Sequence, residues 1–153
     1  MKNQAEKILA THPNIGSSIS RWTLGLVLFP HGAQKLLGLF GGYGYSATME
    51  GLTTQMGLPA IVAFSVIIIE FFGSLSLILG CFSRFWAVSF AALIIGIISK
   101  TQWEHGFFMN WFGNQAGEGY EYSLLVIGLS LSVLVNGSGK WALDTVISKT
   151  IFK

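Results

Sequence analysis

The sequence predicts an all-α, polytopic membrane protein: a four-transmembrane-helix bundle with short interfacial helices at its termini. Three observations carry that expectation. The 153-residue chain is 52% hydrophobic and only 10% charged, where a soluble domain carries about 25% charged residues. Its apolar residues gather in four runs, about 16–37, 58–80, 85–100 and 120–136, each near the length that crosses a bilayer as a helix. Gly, Ser and aromatic residues separate the runs, as turns and interfacial loops require. A single domain, residues 1–153, accounts for a chain of this length.

Taken in order, residues 1–14 are polar, with a weak apolar periodicity at Ala5, Ile8 and Leu9 that suits a short surface helix. The first run is the most polar and holds Arg21, Pro30, His31, Gln34 and Lys35. Trp22–Phe29 has the look of a signal-peptide core, yet no small-residue cleavage pattern follows it. Residues 38–57, rich in Gly and Tyr, read as a loop. The second run carries Glu70 near its centre. Cys81–Arg84 is a tight turn into the third run, and residues 100–119 read as an aromatic loop. After the fourth run, Gly137 and Gly139 end the helix. Trp141, Leu143, Val146, Ile147 and Ile151 then recur at helical spacing, the mark of a second interfacial helix.

The net charge of +2 is scattered at the ends of the runs, which argues against a nucleic-acid partner. Lys2, Lys7, Arg84, Lys140, Lys149 and Lys153 fall on one side of the four runs, and only Lys35 and Lys100 edge the other. The excess of cationic residues marks the cytoplasmic side, so both termini are expected there and both aromatic loops outside. Tyr43, Tyr45, Trp103, Trp111, Tyr120 and Tyr122 would then form the outer aromatic belt. Cys81 is the lone cysteine, which excludes an intrachain disulfide, a CxxC pair and a cysteine-based zinc site. No metal or nucleotide is expected, since Gly41-Gly42-Tyr43-Gly44 lacks the spacing and strand–turn–helix setting of a nucleotide loop.

At 100° per residue, each run has a stripe of small residues that also carries an ionisable group. The first is Arg21, Gly25, Leu28, Gly32 and Lys35, with His31 on its shoulder. The second is Ala63, Glu70, Gly73, Ser74 and Leu77. The third is Ser89, Ala92, Gly96, Ser99 and Lys100, and the fourth Glu121, Leu125, Gly128 and Ser132. Small residues mark helix–helix faces in membranes, so all four stripes are expected to face the bundle axis. Depth along the helices puts Glu70 near the midplane, His31 roughly 5 Å toward the outside and Lys35, Lys100 and Glu121 roughly 11–12 Å toward it. A balanced set of lysines and glutamates, poorly solvated, would make a polar pocket in the outer half. His31, Lys35, Glu70, Lys100, His105 and Glu121 are therefore the candidate ligand-binding residues. Arg21 and Arg84 are expected to be structural charges. The plainer reading of Glu70 is an ion pair that only fixes helix register, and the plainer reading of the aromatic loops is belt and lid.

Several short patterns resemble one family. Arg21-x3-Gly25, His31-Gly32-x2-Lys35, Phe40-Gly41-Gly42, Glu70-x2-Gly73, Leu79-Gly80-x3-Arg84, His105-Gly106-Phe107-Phe108 and Gly119-Tyr120-Glu121-Tyr122 occur in the order and spacing of the DoxX family. The resemblance runs from Arg21 to Asp144. It implies a small four-helix inner (plasma) membrane protein tied to oxidoreductase systems, and it points to Arg21, Lys35, Glu70, Arg84, His105 and Glu121.

The leading expectation is a membrane component of an oxidoreductase system that binds a quinone or similar lipophilic ring in the outer-half pocket. His31, Lys35 and Glu70 offer hydrogen bonds and protons to such a ring, and aromatic side chains would stack on it. Protein partners of a redox assembly must deliver the electrons, and further copies of the chain could pack on its apolar flanks. A non-enzymatic scaffold is the alternative, and a proton-coupled carrier a weaker one, because the chain shows no internal repeat. Haem held by His31 and His105 would need both rings aimed at one iron, which a loop histidine serves poorly.

Overall fold

The computed structural model describes residues 13–151, and among them every regular element is helical. The expected surface helix around Ala5–Leu9, with Lys2, Lys7 and Lys153, lies outside the described residues. The first helix, α1 (Ile15–Leu37), starts where the Asn14 side chain accepts the Gly16 N–H at 2.8 Å. It ends at Gly38, whose left-handed φ of 72° is free of strain only without a Cβ. Next comes α2 (Gly44–Glu50) with a π-turn over Gly51–Gln55, so the segment expected to be a loop is partly helical.

The second apolar run folds as one continuous rod made of α3 (Ala60–Ile68), a π-turn at Ile69–Gly73 and α4 (Ser74–Leu79). Pro59 precedes its first turn and Gly80 closes it in the left-handed region. The third starts with α5 (Ser83–Ile97) and winds on through a π-turn at Ile98–Gln102 and a 3-10 turn at Trp103–His105. It therefore outruns the expected boundary at residue 100, and His105 ends a helix instead of sitting in a loop. The rods Ala60–Leu79 and Ser83–His105 are each long and apolar enough to cross a membrane. The shorter apolar α6 (Glu121–Asn136) and the amphipathic α7 (Leu143–Ile151) complete the chain.

The helices form a ring. α1 packs on the α3–α4 rod and on α6, and α5 closes the circle by packing on the rod and, most extensively, on α6. Leu24, Leu28, Leu77, Ala87, Phe90, Ile94, Val126 and Val133 fill the centre, drawn from every member of the ring.

Two of the four expected stripes face inward. Arg21, Gly25, Leu28 and Gly32 are buried on α1, and Ala63, Glu70, Gly73, Ser74 and Leu77 on the rod. The stripes on α5 and α6 do not. Ala92, Gly96, Ser99, Lys100, Leu125 and Gly128 are exposed, and α5 buries Ser83, Ala87, Phe90 and Ile94 instead. The reason is complementarity. The notch at Gly73 is filled by Trp86 and Phe90, whose rings would lie 2.8 and 3.1 Å from a Cβ there. A small residue on one helix is met by a large one on its neighbour, so two small stripes need not face each other.

Candidate functional site

Glu70 lies inside the π-turn of the α3–α4 rod, on its buried face. Such turns widen an α-helix by one residue and recur at functional positions. The wider turn is supported by Ser74, whose hydroxyl donates to the Glu70 carbonyl at 2.5 Å and to the Phe71 carbonyl at 2.9 Å. Gly32 of α1 lies flat against the same turn: a Cβ there would come within 2.5 Å of Glu70 backbone. That close approach brings Lys35, one turn further along α1, over the carboxylate. Lys35 Nζ donates to Glu70 Oε2 at 2.5 Å, with side-chain exposures of 28% and 7%. The pair is thus a nearly dry acid joined to a half-open base.

Lys35 also lines a chamber of about 720 Å³ beneath the Gly/Tyr segment, walled by Gln34, Tyr43, Glu50, Gln55 and Met56. Gly42 seats that segment on α1, since a Cβ there would meet Gln34 at 2.4 Å, and Gln34 Nε2 donates to the Phe40 carbonyl at 3.0 Å. On the ring's flank, between α1 and α6, a smaller apolar crevice of about 160 Å³ is lined by Val27, Leu28, Tyr122 and Leu125.

The other candidates do not join the pair. His31 and Lys100 are exposed, because the residue beside Gly32 turns 100° off the buried face and the α5 stripe points outward. Glu121 instead organises the aromatic loop: its Oε1 accepts the Met109 N–H at 3.0 Å and the Trp111 indole N–H at 2.9 Å. His105 packs flat on Gly117, whose missing Cβ would meet its ring at 2.3 Å. The balanced four-charge pocket is therefore not assembled; Lys35 and Glu70 meet, Glu121 braces the aromatic loop and Lys100 lies exposed. Tyr43, Tyr45, Trp103 and Trp111 are exposed, as a belt would be. Tyr122 departs from it, with its hydroxyl buried.

Arg21 is fully buried and clamps the opposite end of the bundle. Its guanidinium donates to the carbonyls of Ser138 at 2.9 Å, Leu77 at 2.5 Å and Ile78 at 2.6 Å, with longer contacts to those of Lys140 and Trp141. Trp22 and Trp141 stack beside it at 5.7 Å. Arg84 likewise donates to the Leu134 carbonyl. Asp144 was missed from the sequence. It is buried, and it accepts the Phe82 N–H at 2.6 Å, the Ser83 N–H at 3.0 Å and the Ser138 hydroxyl. It caps α5 from 61 residues away. Only its place in the first turn of an amphipathic helix could have hinted at a special role. Cys81 sits in the same turn, where burial and then the Asp144 charge push its thiol above the ordinary range.

The chain is 27% identical over 135 residues to "Putative oxidoreductase CatD" of Bacillus subtilis (strain 168), covering 88% of this chain and 89% of that one. No solved structure matches it. The profile described as DoxX matches residues 16–111, a stretch that includes Arg21, the Lys35–Glu70 pair and the aromatic tip at Trp111. With more than half its length matched, and with the helices that carry the ion pair inside the match, this chain belongs to the DoxX family, a family of membrane proteins.

Proposed function

We propose that this protein is a four-span, multi-pass component of an oxidoreductase system in the cell inner membrane, with both termini cytoplasmic, and that it holds a quinone or similar lipophilic ring beside Lys35 and Glu70. One observation carries the reading: a nearly dry carboxylate in a mid-span π-turn is joined to an ammonium that opens onto a chamber. A charge at that depth costs about 2.5–3.5 kcal/mol on insertion scales and is by default a functional group. Family membership and the oxidoreductase name of the Bacillus relative support the redox setting.

The residues present suit such a ring. An ammonium has three donors and Glu70 accepts from one, which leaves Lys35 able to bind a ring carbonyl. Glu70 balances that charge where water is scarce. Glu50 on the chamber wall offers a carboxylate through which Lys35 can exchange protons with the outside. A bound quinone would supply two-electron, two-proton chemistry, its electrons coming from a protein partner of the assembly.

Thermal unfolding of the detergent-purified protein with decylubiquinone tests this. Ligand at a hundredfold excess over its Kd should stabilise the fold by about 2.7 kcal/mol, and the gain should vanish in Lys35→Met and Glu70→Gln. No gain at saturation refutes ring binding. A Glu70→Gln protein that cannot assemble, beside a wild type blind to quinone, supports the scaffold reading, in which the pair only fixes register.

A further inference from the structure

We propose that the outward face of α5 and α6 is where a second copy of this chain docks, the two copies side by side in the membrane and related by a two-fold axis along its normal. The inference is independent of ring binding. The order of the helices in the ring puts this face opposite the side, built from α1 and the α3–α4 rod, that carries Lys35 and Glu70.

Two observations point to it. The first is a surface of small residues with no neighbour inside the chain. Ala92, Gly96 and Ser99 on the third rod and Gly128 on α6 are exposed, and a Cβ at Gly96 or Gly128 would have nothing within 4 Å. Beside them runs a groove of about 550 Å³ between α5 and α6, lined by Ile95, Ile98, Leu124 and Ile127. Trp103, stacked on Tyr120 at 5.8 Å, forms its end. Glycine weakens a helix, and acyl chains, which mould to any surface, return nothing for that loss. A neighbouring helix does, because backbones approach only where side chains are small.

The second is a pair of opposite charges that no group in the chain answers. Lys100 and Glu104 are exposed one turn apart, in line with Ala92 and Gly96 on the same rod. The one ion pair among the described residues is Lys35–Glu70, so neither is paired within the chain. Ionisable groups on a span ordinarily pair with one another. A lipid phosphate would attract Lys100 but repel Glu104. A second copy turned by 180° about the membrane normal answers both. Lys100 of each copy then lies across from Glu104 of the other, two pairs from one symmetry operation, as at the flanking positions of a parallel helix pair. All copies insert the same way round, so the membrane permits this axis.

Förster transfer between donor-labelled and acceptor-labelled copies, in phosphatidylcholine vesicles over a range of protein-to-lipid ratios, tests this. Wild type should show transfer that rises with protein density above the level of chance proximity. Lys100→Glu and Glu104→Lys each set like charges across the contact and should weaken association about tenfold. The double variant Lys100→Glu/Glu104→Lys makes the charges opposite again and should regain it. Gly96→Leu should also weaken it while sparing the bundle, since the new Cβ meets open space within the chain. Ile61→Ala, at an exposed site on the α3–α4 rod, should leave it unchanged. Wild-type transfer at chance level for every ratio overturns the inference, and a lipid retained by such a monomer on native mass spectrometry would give the groove to an acyl chain. Association that the single reversals leave intact, or that the double variant fails to restore, overturns it as well.

Discussion

Gly32→Ala puts the packing behind the candidate site to its hardest test. A Cβ at residue 32 would fall 2.5 Å from the Glu70 carbonyl carbon, 2.5 Å from the Phe71 nitrogen and 2.6 Å from the Glu70 carbonyl oxygen. Each is about 1 Å inside ordinary van der Waals separation. All three are backbone atoms, so no side chain can swing aside; α1 and the second span must part. Overpacking costs about 1–3 kcal/mol where side chains can adjust, and here the upper end, about 3 kcal/mol, is expected. At about 2–4 °C per kcal/mol for a chain of this size, Tm should fall by about 6–12 °C. Gly25→Ala should lose less, its nearest contacts being 2.9 Å and one of them a flexible Ile78 carbon. Gly96 and Gly128 have nothing within 4 Å, so alanine there should raise stability by about 0.5–1 kcal/mol through helix propensity alone. The assay is thermal unfolding of the four variants in one detergent. Gly32→Ala melting together with Gly96→Ala would refute the claimed helix contact, and with it the account of how Lys35 reaches Glu70.

Two further predictions concern the opposite end. Arg21→Met should take one donor from each of the carbonyls of Leu77, Ile78 and Ser138; the Gly80 N–H and the Trp22 indole N–H still reach the first two, so the Ser138 carbonyl is the one left unpaired, a loss of about 1–3 kcal/mol. Arg21→Lys should restore little, because an ammonium lacks the planar fork that spans several carbonyls; a change below about 1 kcal/mol in Arg21→Met would contradict the clamp. Cys81 should alkylate slowly at neutral pH, since the thiolate is the reactive form and both burial and Asp144 hold the thiol protonated. Asp144→Asn removes the second of these, so the rate–pH curve should move toward lower pH without reaching that of a free thiol. Superimposable curves would show that the Asp144 charge does not reach Cys81.

The helical class and the long apolar rods were legible, short of the last turns past residue 100, because apolar composition and run length are local properties of the chain. So was the inward face of α1 and of the second span, where glycines and the ionisable groups share one stripe. The same rule failed on α5 and α6. Small residues mark a close approach only if the partner surface is known, and Phe90 filling the notch at Gly73 is a fact about two helices at once. Tyr122 was misassigned for the same reason: near a span end, a tyrosine reads as belt until its neighbours are in place.

By itself, the sequence determined where the long apolar helices lie and that Glu70 is an acid too deep to stand alone. Only the tertiary structure decided that its base is Lys35 and not Lys100, that Glu121 holds the lid, that Asp144 caps a distant helix, and that one phenol is left with nothing to bond. Composition and spacing are written along a single chain. Pairing depends on how far apart the helix backbones stand and how each helix is turned, and those are settled jointly by all the faces that meet.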